Sequence, residues 1–467
     1  MLFEPSKEYC NAAEALNITR YDDVIEKHPH LNYQFQSLFM HWEIECQDSF
    51  VKHVITTAVM IGAVCGNRSV FCGILSDKYG RKPIVISSMI LMGCTNLLLT
   101  FIGSKNWYVF SIILWVQGIG VGSYMSSHLV LIMEALSNSN SRLLVVCLNA
   151  WPFGLVFTAI VAYSTNCWYD FHIAVSIVCL ILATVLFFYS VESVEWLIQN
   201  NNIVKASKAR KYILWVNNMA SLNKGSIEET DSIHAFSNIV VTKQDANSDS
   251  LDKLVSVSKD DASLESKPFK DKMLLTHLIV LAFSFFSSSI VSYCMYFNLD
   301  ALNSNIYLNM LIMGILKFFA GFLPFILSKW FSKLSIFLTS LAISAIGSCI
   351  LIIQYFGFGT MDGIVYIVCS QALAASTDPV FKINHLYSTQ IFPTKVRNSC
   401  RGICNAASRI GSVLTPGIIY IRGFNAGAPF VLLSILISLQ FITGYYYLPK
   451  SENETEATER TSKDEEP

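Results

Sequence analysis

The chain is 467 residues long, 53% apolar and only 14% charged, with a formal net charge of -1 at pH 7. A mean hydropathy of +0.46 is more than a water-soluble fold of this length can hide. Composition therefore excludes a string of soluble domains and makes lipid the expected solvent.

From the N-terminus, residues 1–53 are polar and hold no apolar run long enough to span a bilayer. They contain Cys10, Cys46 and the acceptor sequence Asn17-Ile18-Thr19. From Val54 the pattern changes. Apolar runs of roughly the 20 residues a membrane helix needs lie near 54–75, 84–103, 107–133, 143–165 and 171–190. After a polar stretch, 191–272, six more lie near 273–297, 306–328, 334–356, 361–381, 402–421 and 427–448. The total is about eleven, five in the first half and six in the second. The polar stretch opens, from Glu192 to Val216, with apolar and basic residues at helical spacing, which predicts one or two surface helices at the inner membrane face. From Ser221 to Lys267 its Ser, Asp, Glu and Lys content predicts a disordered loop. Residues 450–467 form an acidic tail of similar character.

Continuous apolar blocks differ from the alternating strands of a membrane β-barrel, so helices must satisfy the backbone groups in hydrocarbon. The expected fold class is an all-α polytopic membrane protein, with an N-terminal bundle over 54–190 and a C-terminal bundle over 273–449. Lys78, Arg81, Lys82, Arg142, Lys329, Lys333, Lys395, Arg397 and Arg401 fall on one side of it, and only Lys105 and Arg422 on the other. The basic side is expected to be cytoplasmic, which puts residues 1–53 outside and the tail inside. No signal peptide is evident. On the outside Asn17 is open to glycosylation, and the compartment permits a Cys10–Cys46 disulfide without requiring one. The other cysteines, mostly within apolar runs, read as small buried side chains.

The turn after the first run reads GILSDKYGRK, residues 73–82. A small residue there permits close helix approach, an acid ends one helix, and a turn glycine precedes a basic pair. By composition alone this is a basic inner loop. It also resembles the loop signature of the major facilitator superfamily. That resemblance implies a gate network at the cytoplasmic face, drawn from Gly73, Asp77, Gly80, Arg81, Lys82, Glu134, Arg142, Glu192 and Arg397.

Further stretches narrow the resemblance to the organic cation and organic anion transporters of that superfamily. They are WEIEC at 42–46, QGIGVGSYMSSHLVLIMEAL at 117–136 with Arg142 beyond, and AYSTNCWYDFHIAVS at 162–176. Glu192-Ser193 followed by Trp196-Leu197-Ile198, NIYLN at 305–309 and YSTQIFPTKVRNSCRGI at 387–403 continue the series in order. The chain also departs from the family. Twelve helices are usual there, the first before the external loop, so this chain is expected to lack helix one. Gln390 stands where the family has an acid, Glu195 where it has an arginine, and the second-half loop signature is reduced to Ser328-Lys329-Trp330-Phe331-Ser332-Lys333. A weakened gate in the second half is the implied consequence.

Ionisable residues inside apolar runs cost about 2.5–3.5 kcal/mol each on insertion scales and usually face a cavity. Lys317, Arg409 and Arg68 are such residues. Asp378 and Lys382, four apart on one helix, are expected to neutralise each other. The remaining positive charge favours an anionic substrate. The resemblance implies the same, because Arg409, in GICNAASRIGSVLTP at 402–416, occupies a position that is basic in organic anion carriers and acidic in cation carriers. The competing reading is that Arg409 or Arg68 only fixes packing. Tyr293, with Tyr296 and Phe297, is a candidate wall for a flat organic molecule, and the same residue types also anchor lipid-facing surfaces. His128 reads as a helix contact and Gly118, Gly120 and Gly122 as close-packing positions.

The expected function is secondary transport of small organic ions, preferentially anions, by two bundles rocking about a midplane site. The rivals are an organic cation or zwitterion carrier, a sugar carrier, and a non-transporting relative acting as partner or sensor. The sequence holds no metal-ligand run, phosphate-cradling loop or nucleophile elbow, so no enzyme activity, cofactor, metal or nucleic-acid partner is expected. The expected partners are a small organic ion and the bilayer of the plasma membrane.

Overall fold

The computed structural model describes residues 36–42, 50–67, 76, 78–136, 144–145, 147–148, 151–200, 202–220, 272–299, 305–358, 363–392, 397–422, 424–425 and 427–449. Fourteen α-helices run through them. The first-half helices are α1 (Leu38–His41), α2 (Phe50–Asn67), α3 (Arg81–Phe101), α4 (Trp107–Ala135), α5 (Trp151–Thr165) and α6 (Trp168–Tyr189). The linker holds α7 (Val194–Gln199) and α8 (Ile203–Ala220). The second half has α9 (Lys272–Phe297), α10 (Ile306–Leu327), α11 (Lys333–Phe358), α12 (Gly363–Gln390), α13 (Arg397–Ile421) and α14 (Ala428–Tyr447). Among the described residues the only strand-like pairing is an isolated bridge between Gln36 and Cys167.

Each of the eleven apolar runs overlaps one of these helices. Eight helices are long and apolar enough to cross a bilayer, while α2 and α5 contribute shorter apolar segments. The remaining one, α13, has the length but carries Arg397, Arg401 and Arg409. Large apolar side chains point outward, with Phe188 73%, Ile353 66% and Ile364 77% exposed. Such a surface is tolerable only against lipid.

Local chemistry explains where several helices begin. Asn106 accepts the Tyr108 N–H at 3.0 Å to open α4, and Asn305 accepts the N–H groups of Tyr307 and Leu308 at 3.0 and 3.4 Å to open α10. Within the first half, α2 and α4 pack backbone to backbone. A Cβ on Gly62 would strike the Trp115 carbonyl, and one on Gly118 the Val59 carbonyl. Gly120 faces α3 instead, with Ser88 O 3.3 Å from where its Cβ would lie. Contact this close is how membrane helices associate when lipid supplies no hydrophobic drive.

Each half has its own core. Phe285, Phe337, Leu373 and Phe430 centre the second. Leu38, Ile55, Leu99, Phe110, Trp168 and Phe171 centre the first, joined by Tyr307 from α10. The halves meet along two seams. At one, Phe153 of α5 packs on Phe318 of α10 with ring centroids 4.6 Å apart. At the other, His53 of α2 lies edge-on to Tyr420 of α13 at 5.0 Å.

The segment 36–42 docks at one end of the first half. The Gln36 N–H donates to Asn166 O at 2.9 Å, the Trp168 N–H donates to Gln36 O at 3.1 Å, and Trp42 packs on Phe110. Lys105 lies at this same end, and the basic turn at Gly80–Lys82 lies at the other end of α3. Linker helices α7 and α8 pack on each other through Leu197, Ala206 and Ala209.

Candidate functional site

Two clusters of charge stand out, one in the middle of the second half and one at the end of the first. In the middle cluster α10 presents Lys317, fully buried at 0% exposure. Its ammonium pairs with Asp378 Oδ1 of α12 at 3.1 Å and donates to Ala374 O at 2.8 Å, Thr377 Oγ1 at 3.1 Å and Ser292 Oγ at 3.2 Å. The Tyr296 ring lies beneath it, 4.9 Å from the ammonium to the centroid. A buried ion pair survives only when the remaining donors are also satisfied, and here they are.

This arrangement corrects two expectations. Asp378 does not neutralise Lys382; it is held by Lys317 on the facing helix, and no Asp378–Lys382 ion pair forms. Lys317 is therefore not uncompensated. The reason is register: four residues apart on one helix place Asp378 and Lys382 on one face, but the carboxylate finds a fully buried ammonium across the helix gap first. Lys382 is left near Asp378 but outside ion-pair distance.

Arg409 of α13 reaches toward the first half. Its Nη2 lies 3.1 Å from the Met125 sulfur of α4, and no carboxylate pairs with it among the described residues. A thioether is a weak acceptor and leaves most of the guanidinium's donors open. Lys382, Arg401 and Arg409 all lie close enough to act electrostatically on His385 of α12.

Tyr293 stands in an aromatic group with Trp151, Tyr296 and Phe297, at centroid distances of 6.3, 5.8 and 6.3 Å. Trp151 Nε1 of α5 also donates to the Tyr296 hydroxyl at 2.8 Å. One hydrogen bond and one ring contact therefore connect the first half to Lys317. Sequence reading missed Trp151, and it missed Asp378 as the partner of Lys317. The intramembrane acid was visible in the sequence, but its partner depends on how α10 and α12 face each other. His128 hydrogen-bonds within its own helix, Nδ1 to Tyr124 O at 3.1 Å, and stacks on the Tyr124 ring.

At the end of the first half, Glu192 reaches the start of α3. Its carboxylate accepts the backbone N–H of Arg81 at 2.9 Å and of Lys82 at 3.2 Å. Free N–H groups and the helix dipole make such an N-terminus a natural seat for an anion. Gly80 has φ 105°, which favours glycine, and a Cβ there would push the Glu192 carboxylate aside. The Arg81 guanidinium pairs with Glu134 at the end of α4, 3.4 Å from Nε to Oε2. Lys82 Nζ donates to the Phe187 and Ser190 carbonyls at 2.9 and 2.6 Å, closing the end of α6. Gly80, Arg81, Lys82, Glu134 and Glu192 are thus brought together. Gly73, Asp77, Arg142, Arg68, Asn17, Cys10 and Cys46 lie outside the described residues, as does the side chain of Arg397. In the second half, Lys333 Nζ donates to Gln390 Oε1 at 3.0 Å, a charge-to-amide contact.

Residues 47–416 match the model of the Major Facilitator Superfamily. The chain belongs to that superfamily. Among curated proteins, this major facilitator chain is 24% identical to the mouse "Solute carrier family 22 member 4", over 87% of its own length and 68% of the relative's. It is 25% identical to the Xenopus laevis "Solute carrier family 22 member 15-like", covering 92% of this chain and 82% of the relative. It is 22% identical to the mouse "Organic cation/carnitine transporter 2", covering 87% and 68%. Among solved structures, the proton:xylose symporter XylE matches with a TM-score of 0.63 at 16% identity, over 87% of this chain and 89% of that one. An inward-open form of XylE from E. coli matches at the same TM-score, over 96% and 94%. That likeness is one of fold. The chain is a multi-pass membrane transporter of the major facilitator type.

Proposed function

We propose that the chain carries small organic anions across the plasma membrane by alternating access, with eleven helices crossing the bilayer and residues 1–53 outside. Arg409 carries the reading: a guanidinium on the seam between the halves, with a thioether against it and no carboxylate among the described residues. Lys382 adds a second cation, outside ion-pair distance of Asp378, and Lys317 a third that an acid holds. Charge in a low-dielectric site attracts the opposite charge strongly, so a substrate carboxylate or sulfate is the natural complement. The substrate-binding set is Arg409, Lys317 and Tyr293, with Arg68 as a further member. Glu192, Arg81, Lys82, Gly80 and Glu134 form the cytoplasmic gate, closing it by tying the ends of α3, α4 and α6. Gly73, Asp77, Arg142 and Arg397 complete that gate.

A cation or zwitterion reading draws on Asp378, the acid inside the same cluster, and on the relative printed as an organic cation/carnitine transporter. Uptake by cells making the full chain separates the readings, using carboxyfluorescein as anion and rhodamine as cation with surface abundance matched. Saturable anion uptake that falls at least about tenfold in Arg409→Ala is expected, since that change removes a charged contact of about 1.5–3 kcal/mol. Cation uptake that persists or rises in Arg409→Asp would establish the second reading. Absence of both, with the chain at the surface, would mark a non-transporting relative.

A further inference from the structure

Beside the Lys317–Asp378 pair sits a lysine with nothing to hold. Lys382 is 5% exposed, one turn from Asp378 on α12, and makes no hydrogen bond or ion pair among the described residues. Its surroundings are Pro324, Ser328, Ile336 and Lys333, the last a second positive charge. Facing the gap between Asp378 and Lys382 is Gly321 of α10, one turn from Lys317. A Cβ on Gly321 would lie 2.9 Å from Asp378 Oδ2, the oxygen Lys317 does not hold, and 3.4 Å from Lys382 Cε. The missing side chain lets both the acid and the lysine lie against the α10 backbone, with no side chain standing between them.

We propose that Asp378 is a specificity-determining residue acting as a tethered competitor for the anion site, which pairs with Lys317 in the empty carrier and turns past Gly321 to Lys382 when a substrate anion takes Lys317. No covalent bond changes. Lys317 exchanges one carboxylate for another, and Asp378 trades one ammonium for the next, so no buried carboxylate is left unpaired. The consequence is selection by charge: a neutral solute cannot replace Asp378, whereas an organic carboxylate or sulfate can. The selection step rests on the reading that Lys317 receives the anion; the movement of Asp378 does not.

The movement is testable without a substrate, on the purified full chain in detergent, by thermal unfolding of Lys317→Met, Lys382→Met, Gly321→Ala and the double variants. In Lys317→Met the carboxylate is expected to cross to Lys382, so the melting temperature falls little. Lys317→Met with Lys382→Met, and Lys317→Met with Gly321→Ala, are each expected to fall at least about 3 °C beyond the sum of the single changes. Additive losses in both pairs would overturn the proposal. An Asp378→Asn control, which removes the moving charge, is expected to abolish the excess; an excess that survives it also counts against the proposal. Anion uptake unchanged in Lys317→Met would sink the binding role of Lys317 while leaving the thermal couplings as they are, so the two failures are distinguishable.

Discussion

Trp151 and Tyr296 show how little separates a packing residue from one that couples the two halves. The indole N–H meets the phenol hydroxyl at 2.8 Å, and the same phenol ring lies under the Lys317 ammonium. Replacing Tyr296 by Phe keeps the ring over the lysine and removes only the hydroxyl. Trp151→Phe removes the other partner. Each is expected to lower unfolding stability by about 0.5–1.5 kcal/mol, the ordinary net worth of such a bond. The double variant is expected to lose less than the sum, because the second change removes a partner already gone. Chemical denaturation of the four proteins in detergent measures this cycle, and strict additivity would show that the bond contributes nothing. An aromatic near a helix end reads equally well as lipid anchor or pocket wall, so the sequence left Tyr293 and Tyr296 open. The facing indole turns the Tyr296 hydroxyl toward the first half.

At the scale of elements, the start of α3 is the clearest case of sequence chemistry turning into geometry. A glycine at positive φ, two backbone N–H groups and a carboxylate from beyond α6 form one anion-on-helix-terminus contact. Glu192→Gln keeps the shape and removes the charge. It is expected to destabilise the fold by about 0.5–1 kcal/mol through the lost dipole interaction. Under the proposed gate role it should also change the rate of uptake more than its KM, since Glu192 is remote from Arg409 in sequence and lies at the bundle end. A changed KM with an unchanged rate would argue against a gate. In the second half, Lys333 donates to the Gln390 amide oxygen at 3.0 Å. The motif at 73–82 made the cluster legible in advance. That Glu192 would cap α3, and not pair with an arginine side chain, was not legible, because capping depends on where the chain returns after α6.

For the whole molecule, the proposed alternating access depends on the seams between the halves. On α10, Gly314 faces α5 so closely that a Cβ would stand 2.9 Å from the Pro152 carbonyl and 2.7 Å from a Val156 methyl. Gly314→Leu would hold the halves apart without entering either bundle's core. Uptake is expected to fall at least about tenfold, while the melting temperature moves by only about 2–4 °C, the shift that roughly 1 kcal/mol produces. A collapse of stability instead would show that this contact builds the fold rather than tuning its motion.

Composition by itself determined the solvent, and the solvent determined the fold class, because backbone groups in hydrocarbon must be satisfied within a helix. Run length then marked the membrane helices, and the order of short motifs marked the superfamily. The pairing of charges was decided only by tertiary structure. Lys317, Asp378, Lys382 and Arg409 were all visible as intramembrane charges, yet which acid holds which base follows from the mutual register of α10, α12 and α13. An ion pair depends on distances of a few ångströms between helices far apart in the chain, and no periodicity along one helix records them.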